Sequence, residues 1–563
     1  MSSTFIQARD YLLEHRADYE TAYENFSWPD LPADFNWARD YFDSIADGND
    51  SPALHLVESD GAQSKVSYGE LADRSRQVAN FLSELGLKRG DRILIMLNNE
   101  VPLWESMLAA LRIGAVMIPA TTLLAGTDLA DRFERGGLKL VLTNEKGMGA
   151  VDALEPSAVA GVIKVSVSGV GGEWVDFADS HSASTEFTAP EPTTTSDPLF
   201  EYFTSGTTSK PKLVRHSQVS YPVGHLSTMY WMGIQPGDVH WTLSSPGWAK
   251  HAWGCFFAPF NAQACIFVYN YDRFDAPAVL DVLVEHKVTT LCAPPTVWRY
   301  LVQEDLGSYP VVIREALSAG EPLNPEVIES VRSSWNATIR DGYGQTETTA
   351  QVGNPPGANL KPGSMGRPMP GYTINLLDPD GLPTTEGELS IAFTSGHPLP
   401  LMDCYADDAS KTSEAIDGKH YRTGDVAERD EDGYLTYVGR SDDVFKASGY
   451  RISPFELESV LIEHSSVAEA AVVPSPDELR GNVPKAYIAI VGDAEPTADT
   501  ARDIFSFVRD RVPGYKLVRR LEFAELPKTI SGKIRRVDLR GQEDARDGQG
   551  ARNELEFIEA DLR

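Results

Sequence analysis

Tyr202-Phe203-Thr204-Ser205-Gly206-Thr207-Thr208-Ser209-Lys210-Pro211-Lys212 is a run of hydroxyl side chains broken by one glycine and closed by two lysines. A polyphosphate needs backbone N–H groups that approach closely, hydroxyl donors to share among its oxygens, and cations, and this stretch supplies all three. The apolar residues at its head, Leu199, Phe200, Tyr202 and Phe203, predict that the loop leaves the end of a buried strand. It is not a Walker A loop, since no second glycine precedes a Lys-Ser/Thr pair. A Ser/Thr-rich stretch also suits a flexible linker, so its flanks have to decide.

On either side of the loop, short apolar runs alternate with helical spacing. Before it, a helix is expected over Tyr68–Leu85, a strand at Arg92–Leu97, a helix at Pro102–Ile113, and strands at Val116–Ala120 and Leu138–Thr143. After it, strands are expected at Val239–Leu243, Ala264–Tyr269 and Thr289–Ala293. Such alternation argues for βαβ units and parallel sheets, so the fold class is α/β with two doubly wound halves. The first 50 residues, with Trp28, Phe35, Trp37 and Phe42, read as a wrap over the first domain. From about 363 to 440 the pattern turns to short strands with turn signals, as in a small β-barrel. A compact, mobile α+β unit follows, so the expected division is 1–440, a hinge at 441–443, a C-terminal domain at 444–541 and a mobile tail without chemistry at 542–563.

Composition narrows the function. With 50 Lys and Arg against 82 Asp and Glu, the formal charge is −32, which repels nucleic acid and anionic membrane surfaces. An anionic substrate would need locally placed cations. No apolar run is long enough to span a membrane, no secretory h-region stands at the N-terminus, and the four cysteines have no metal-ligand spacing. A cytoplasmic protein without membrane insertion is expected, and the sequence leaves a homodimer open.

Three further clusters carry chemistry. Asp341-Gly342-Tyr343-Gly344-Gln345-Thr346-Glu347-Thr348 offers two glycines for close approach, a flat tyrosine face for a base, and a hard carboxylate suited to Mg²⁺. Tyr421-Arg422-Thr423-Gly424-Asp425 with Gly439-Arg440 places a carboxylate able to take both hydroxyls of a ribose near an arginine. Leu526-Pro527-Lys528-Thr529-Ile530-Ser531-Gly532-Lys533-Ile534-Arg535-Arg536 holds a lysine on a glycine-bearing loop, which can be delivered and withdrawn. Lys528, Arg535 and Arg536 read as a basic patch on a solvated face.

In order and spacing these motifs resemble the acyl-adenylate-forming superfamily over nearly all of residues 50–540, and within it the medium-chain acyl-CoA synthetases. The family's usual form has glycine where Ser209 stands. The resemblance implies an AMP-forming acid–thiol ligase using ATP, Mg²⁺ and coenzyme A. A small-molecule carboxylic acid, medium-chain or aromatic, becomes an acyl-AMP and then an acyl-CoA. Delivery to a carrier-protein phosphopantetheine is the alternative acceptor, and a nucleotide-binding scaffold without turnover is the non-enzymatic one.

Carried over residue by residue, the resemblance gives Thr204, Ser205, Gly206, Thr207, Thr208 and Lys212 to the phosphates, and Glu347 with Thr204 to the metal. Gly320, Glu321 and Pro322 face one side of the adenine, and Asp341, Gly342, Tyr343, Gly344, Gln345 and Thr346 the other. Asp425 and Arg440 form the ribose clamp, Asp442 is the hinge, Ser448 and Gly449 lie along the pantetheine arm, and Arg451 contacts phosphate. Lys533 is the adenylation lysine, so Lys533, Glu347 and Thr204 are the expected catalytic residues. Trp248, in Ser245-Pro246-Gly247-Trp248-Ala249-Lys250-His251, either walls the acyl pocket, with Gly344, or is an ordinary core aromatic. His251, His216 and His225 have no partner of ligand or triad spacing.

Overall fold

The central strand Arg92–Met96 is buried along nearly its whole length and pairs in parallel with Val116–Pro119 on one side and Leu140–Thr143 on the other. A strand covered on both faces has no use for a polar side, so Arg92-Ile93-Leu94-Ile95-Met96 reads as an unbroken apolar run after its first residue. The computed structural model describes residues 4–169, 171–204, 211–320, 323, 325–361, 363–447, 450–477, 480–492, 494–528, 533–546 and 552–562. They form two compact units, one built from residues up to Thr204 with Lys212–Thr373 and Ala392–Tyr421, the other from Ile374–Ile391 and the chain from Arg422 onward.

The first unit holds two large sheets. Eight strands make the first, in the order Cys404–Tyr405, Lys212–Ser217, Pro198–Thr204, Val116–Pro119, Arg92–Met96, Leu140–Thr143, Ile163–Ser166, Val175–Asp176. Helix Tyr68–Glu84 starts on a capping box, the Ser67 hydroxyl accepting from the Glu70 N–H and the Glu70 carboxylate from the Ser67 N–H, a device that stabilises a helix by about 1 kcal/mol. Helix Val101–Ile113 ends where Gly114 adopts φ 79°, a conformation glycine takes without strain.

The second sheet has nine strands, with Val239–Thr242, Thr290–Ala293, Glu315–Ala319 and Ile339–Tyr343 parallel at its centre. The hairpin Pro52–Val57 and Gln63–Ser67 precedes every strand of the first sheet in sequence yet joins the second, with Leu54 opposite Ile266. The N-terminal wrap packs within the first unit and touches both halves: Asn36 donates to the Leu111 carbonyl and Asp43 pairs with Arg112. Trp37 donates to Asn261 Oδ1 at 2.9 Å, Tyr41 donates to the Phe260 carbonyl, and Trp28 donates to the Gly371 carbonyl. Trp37 and Phe42 pack their rings on Phe256, Phe257 and Phe260.

In the second unit, Ile374–Leu377, Glu386–Ala392, His420–Arg429 and Leu435–Arg440 form a four-stranded sheet where a barrel was expected. This sheet clusters with the C-terminal chain, so the units do not divide at 440 as the motifs suggested. A second four-stranded sheet, Val467–Asp477, Gly481–Ile490, Arg520–Phe523 and Glu556–Ile558, packs with helices Pro454–Ile462 and Ala498–Arg509 around Leu457, Leu461, Ile488, Ile504 and Leu521.

Its last strand corrects the expectation of a mobile tail from 542. Glu543 and Glu556 meet Lys485 Nζ at 2.8 and 3.0 Å, and Lys485, fully buried, takes Glu522 as a third partner at 2.8 Å. Polar composition read as disorder is here a buried ion cluster, in which opposite charge and the Tyr487 and Ser475 hydroxyls on Glu543 offset the cost of dehydration.

Candidate active site

Thr204 and Lys212 stand opposite each other at the end of the antiparallel pair Pro198–Thr204 and Lys212–Ser217. The hydroxyl loop therefore starts and ends on paired strands of the first sheet, with both root residues half-buried. Ser205, Gly206, Thr207 and Thr208 lie outside the described residues. Cys404–Tyr405 pairs beside Lys212–Ser217 and carries a tyrosine that the sequence reading missed. Lys212 Nζ lies 3.1 Å from the Tyr405 hydroxyl, which in turn donates to Glu347 Oε1 at 3.0 Å. One phenol therefore joins the loop's lysine to the proposed metal carboxylate across 193 and 58 residues of sequence.

The segment Asp341 to Glu347 leaves the end of strand Ile339–Tyr343, next to strand Glu315–Ala319, with Ala319 opposite Gly342. Gly320 and Tyr343 therefore emerge together at the carboxyl edge of a parallel sheet, where open α/β sheets bind ligands. Both glycines of the motif are required from inside the protein: a Cβ on Gly342 would meet the Trp231 ring at 2.2 Å, and one on Gly344 the Thr349 carbonyl oxygen at 2.3 Å. His216 Nε2 donates to the Thr346 carbonyl at 2.7 Å, and Met402 N–H donates to that of Glu347. Burial holds the His216 pKa down to about 4, so the ring is neutral. Gln345 is fixed by the Tyr421 hydroxyl at 2.7 Å. Tyr405 and His216 lie outside the motifs and Tyr421 opens one of them, and the fold brings all three to this segment.

Asp341 is 9% exposed, and its Oδ1 has no hydrogen-bond partner among the described residues. Burial raises its pKa to about 8, partly offset by the Leu323 N–H. A carboxyl group left with an orphan oxygen at the carboxyl edge of a sheet is a place for a ligand's polar group. Glu321 and Pro322 lie outside the described residues.

Behind Trp248 is a narrow apolar recess, walled by Ile95, Leu103, Met107, Pro119, Tyr202 and His251. Trp248 lines this recess, and Gly344 is not among the residues that line it. His251 Nε2 meets Asn99 Oδ1 at 2.8 Å.

On the second unit, Asp425 stands opposite Arg440 in an antiparallel pair, 3.7 Å from its guanidinium, and accepts from the Tyr437 hydroxyl at 3.2 Å. Asp425 is buried, so its carboxylate is held in one orientation. Asp442 is exposed and near Arg440, while Asp443 beside it is buried against Arg536 and Arg540. Arg536 departs from the solvated patch expected for it, because it is tied to Glu458 and Asp443. Lys528 and Arg535 do lie on the surface, paired with Glu469 and Asp538. Lys533 is exposed, and the bridge between Lys528 and Ile534 closes its loop as Thr204 and Lys212 close the other. Arg451 is exposed, 3.4 Å from Glu386, and Ser448 and Gly449 lie outside the described residues.

The sequence matches the AMP-binding enzyme family over residues 42–395 and the AMP-binding enzyme C-terminal domain over 456–533. It is 37% identical over 543 residues to the mitochondrial acyl-coenzyme A synthetase ACSM3 of Mus musculus, covering 94% of this chain and 93% of the other. Over 534 residues it is 40% identical to 4-hydroxybutyrate–CoA ligase 1 of Metallosphaera sedula, covering 93% of each. The crystal structure of the Brucella canis acyl-CoA synthetase superposes with a TM-score of 0.71 at 30% identity, over 94% of this chain and 99% of that one. With the adenylate-forming motifs on both units and sequence relatives matched over 93% of their length, the chain belongs to the AMP-binding enzyme family, in its acyl-CoA synthetase branch.

Proposed function

We propose that the protein is an AMP-forming carboxylate–CoA ligase, and the observation that carries this is the Lys212–Tyr405–Glu347 chain at the root of the hydroxyl loop. A carboxylate oxygen attacks the α-phosphorus of ATP, the bond to the β-phosphate oxygen breaks, and acyl-AMP and pyrophosphate result. The acid is already ionised at neutral pH, so catalysis rests on positioning and on charge. Lys212 and Lys533 offer that charge, and the Tyr405 hydroxyl sets the direction of the Glu347 carboxylate. The donor set fits Mg²⁺, with one hard carboxylate and the Thr204 hydroxyl available and no cluster of three acidic, His or Cys ligands among the described residues. Glu347 and Thr204 would hold the ion, which when bound supplies neutralisation of phosphate charge.

The orphan oxygen of Asp341 suits the adenine's exocyclic amine, and Asp425 with Arg440 suits the ribose. In the second half-reaction the thiolate of coenzyme A attacks the acyl carbon and AMP leaves. Asp442 serves as the hinge between the two half-reactions, and Arg451 with Ser448 and Gly449 serves the coenzyme. The acid belongs to the medium-chain or aromatic class, and its chain enters the recess behind Trp248. A cytoplasmic setting is part of the proposal, supported by the strong negative charge and by four free cysteines, three of them buried.

The test is a panel of acids from acetate through octanoate to benzoate, assayed for AMP and acyl-CoA with coenzyme A present or withheld. Joint appearance of AMP and acyl-CoA only with coenzyme A is expected. Pyrophosphate exchange without acyl-CoA from any acid would point to a carrier-protein acceptor instead.

A further inference from the structure

Among the described residues, His251 and Tyr202 are the titratable side chains that line the recess behind Trp248, and His251 is 2% exposed. Burial drags its pKa to about 3, so the imidazole is neutral and carries a single proton. That proton is on Nε2, because the partner at 2.8 Å is the Asn99 amide oxygen, which can only accept. Asn99 is held in turn, its carbonyl accepting from Asn270 at 2.9 Å, and the His251 N–H is bonded to the Trp248 carbonyl. Nδ1 is left as a lone pair. It makes no hydrogen bond among the described residues and is not among the polar atoms sealed off from water. Tyr202, which also lines the recess, has a sealed hydroxyl without a hydrogen bond; Tyr221 lies beside it, but the pair does not reach hydrogen-bond geometry.

We propose that the acid activated here carries a neutral hydrogen-bond donor, a hydroxyl first of all, toward the end of its chain remote from the carboxylate, and that His251 Nδ1 receives it. The inference rests on the ligase reading above and on the recess as the acyl site. A methyl-terminated chain would fill the same space and leave the lone pair buried and unpaired, a loss that polar sites use to reject apolar analogues. An ammonium group is disfavoured, since none of the described lining residues is anionic to pair with it. His251 is therefore a specificity-determining residue, and its ring is set by Asn99.

The experiment compares kcat/KM for acids of equal size that differ only in the terminal group: 4-hydroxybutanoate against pentanoate, 6-hydroxyhexanoate against heptanoate, and 4-hydroxybenzoate against 4-methylbenzoate. For the pair whose length fits, the wild-type enzyme should favour the hydroxy acid by about tenfold or more, and His251→Leu should bring that ratio to one or below. A wild-type ratio near or below one for every pair overturns the inference without any variant, as does a preference that His251→Leu leaves intact. Failure of the ligase reading looks different, since no acid of either kind would then give coenzyme A-dependent AMP.

Discussion

Asp341 has one carboxylate oxygen unpaired among the described residues and a pKa lifted by burial to about 8. An acid whose folded pKa is raised binds its proton more tightly in the folded state, so its contribution is fullest below the unfolded value, near 3.8, and is lost as pH rises toward 8. In the absence of nucleotide, melting temperature should therefore fall between pH 6 and pH 8. Asp341→Asn should flatten that slope, and an unchanged slope in thermal melts would assign the pH dependence elsewhere. Tyr405 acts through Glu347, so Tyr405→Phe should slow adenylation by about tenfold and raise the Mg²⁺ concentration needed for half-maximal rate; a normal Mg²⁺ profile would reduce Tyr405 to packing. Lys533→Ala should cut acyl-AMP formation by about 10²-fold or more while sparing thioester formation from supplied acyl-AMP, measured as two separate half-reactions. At this scale Glu347, Asp425 and Lys533 were legible because each sits in a motif. Tyr405, His216 and Asn99 were not, since a single tyrosine, histidine or asparagine carries no periodicity and acquires its role from a neighbour far along the chain.

Both lysine-bearing loops have the same construction, a glycine-bearing tip closed at its root by an antiparallel bridge, Thr204 with Lys212 and Lys528 with Ile534. These pairs fix where each loop starts and ends. Element boundaries followed from local chemistry: the Ser67–Glu70 capping box starts one helix and Gly114 ends another, so the expected Tyr68–Leu85 and Pro102–Ile113 lie within a residue of Tyr68–Glu84 and Val101–Ile113. The tail was misread for an equally local reason, because charged residues look solvated until their partners are known. Its strand Glu556–Ile558 covers the edge of Arg520–Phe523, and Glu543 and Glu556 help neutralise Lys485. Removing residues 542–563 should destabilise the second unit by about 3 kcal/mol or more in urea denaturation. A truncated protein with an unchanged transition would mean that the cluster contributes nothing net.

At the scale of the whole molecule, the hinge assignment has a consequence that binding cannot mimic: Asp442→Pro should hinder passage between half-reactions, lowering acyl-CoA formation while leaving pyrophosphate exchange measurable. Equal turnover in both assays would remove Asp442 from that role. The sequence alone determined the α/β class, the succession of strands and helices, the ordered adenylate-forming motifs and the acyl-CoA synthetase family, because periodicity, caps and contiguous motifs are properties of neighbouring residues. Only the tertiary structure decided that the hairpin at Pro52–Ser67 joins the second sheet, that the N-terminal aromatics cover Phe256 to Phe260, and that the sheet of Ile374–Arg440 groups with the C-terminal chain. It alone placed His251 on the wall of an apolar recess, with Nε2 tied to Asn99 and Nδ1 without a hydrogen bond among the described residues. Strand pairing, aromatic packing and the burial of charge are set by which surfaces meet, and residues that meet are separated here by up to hundreds of positions along the chain.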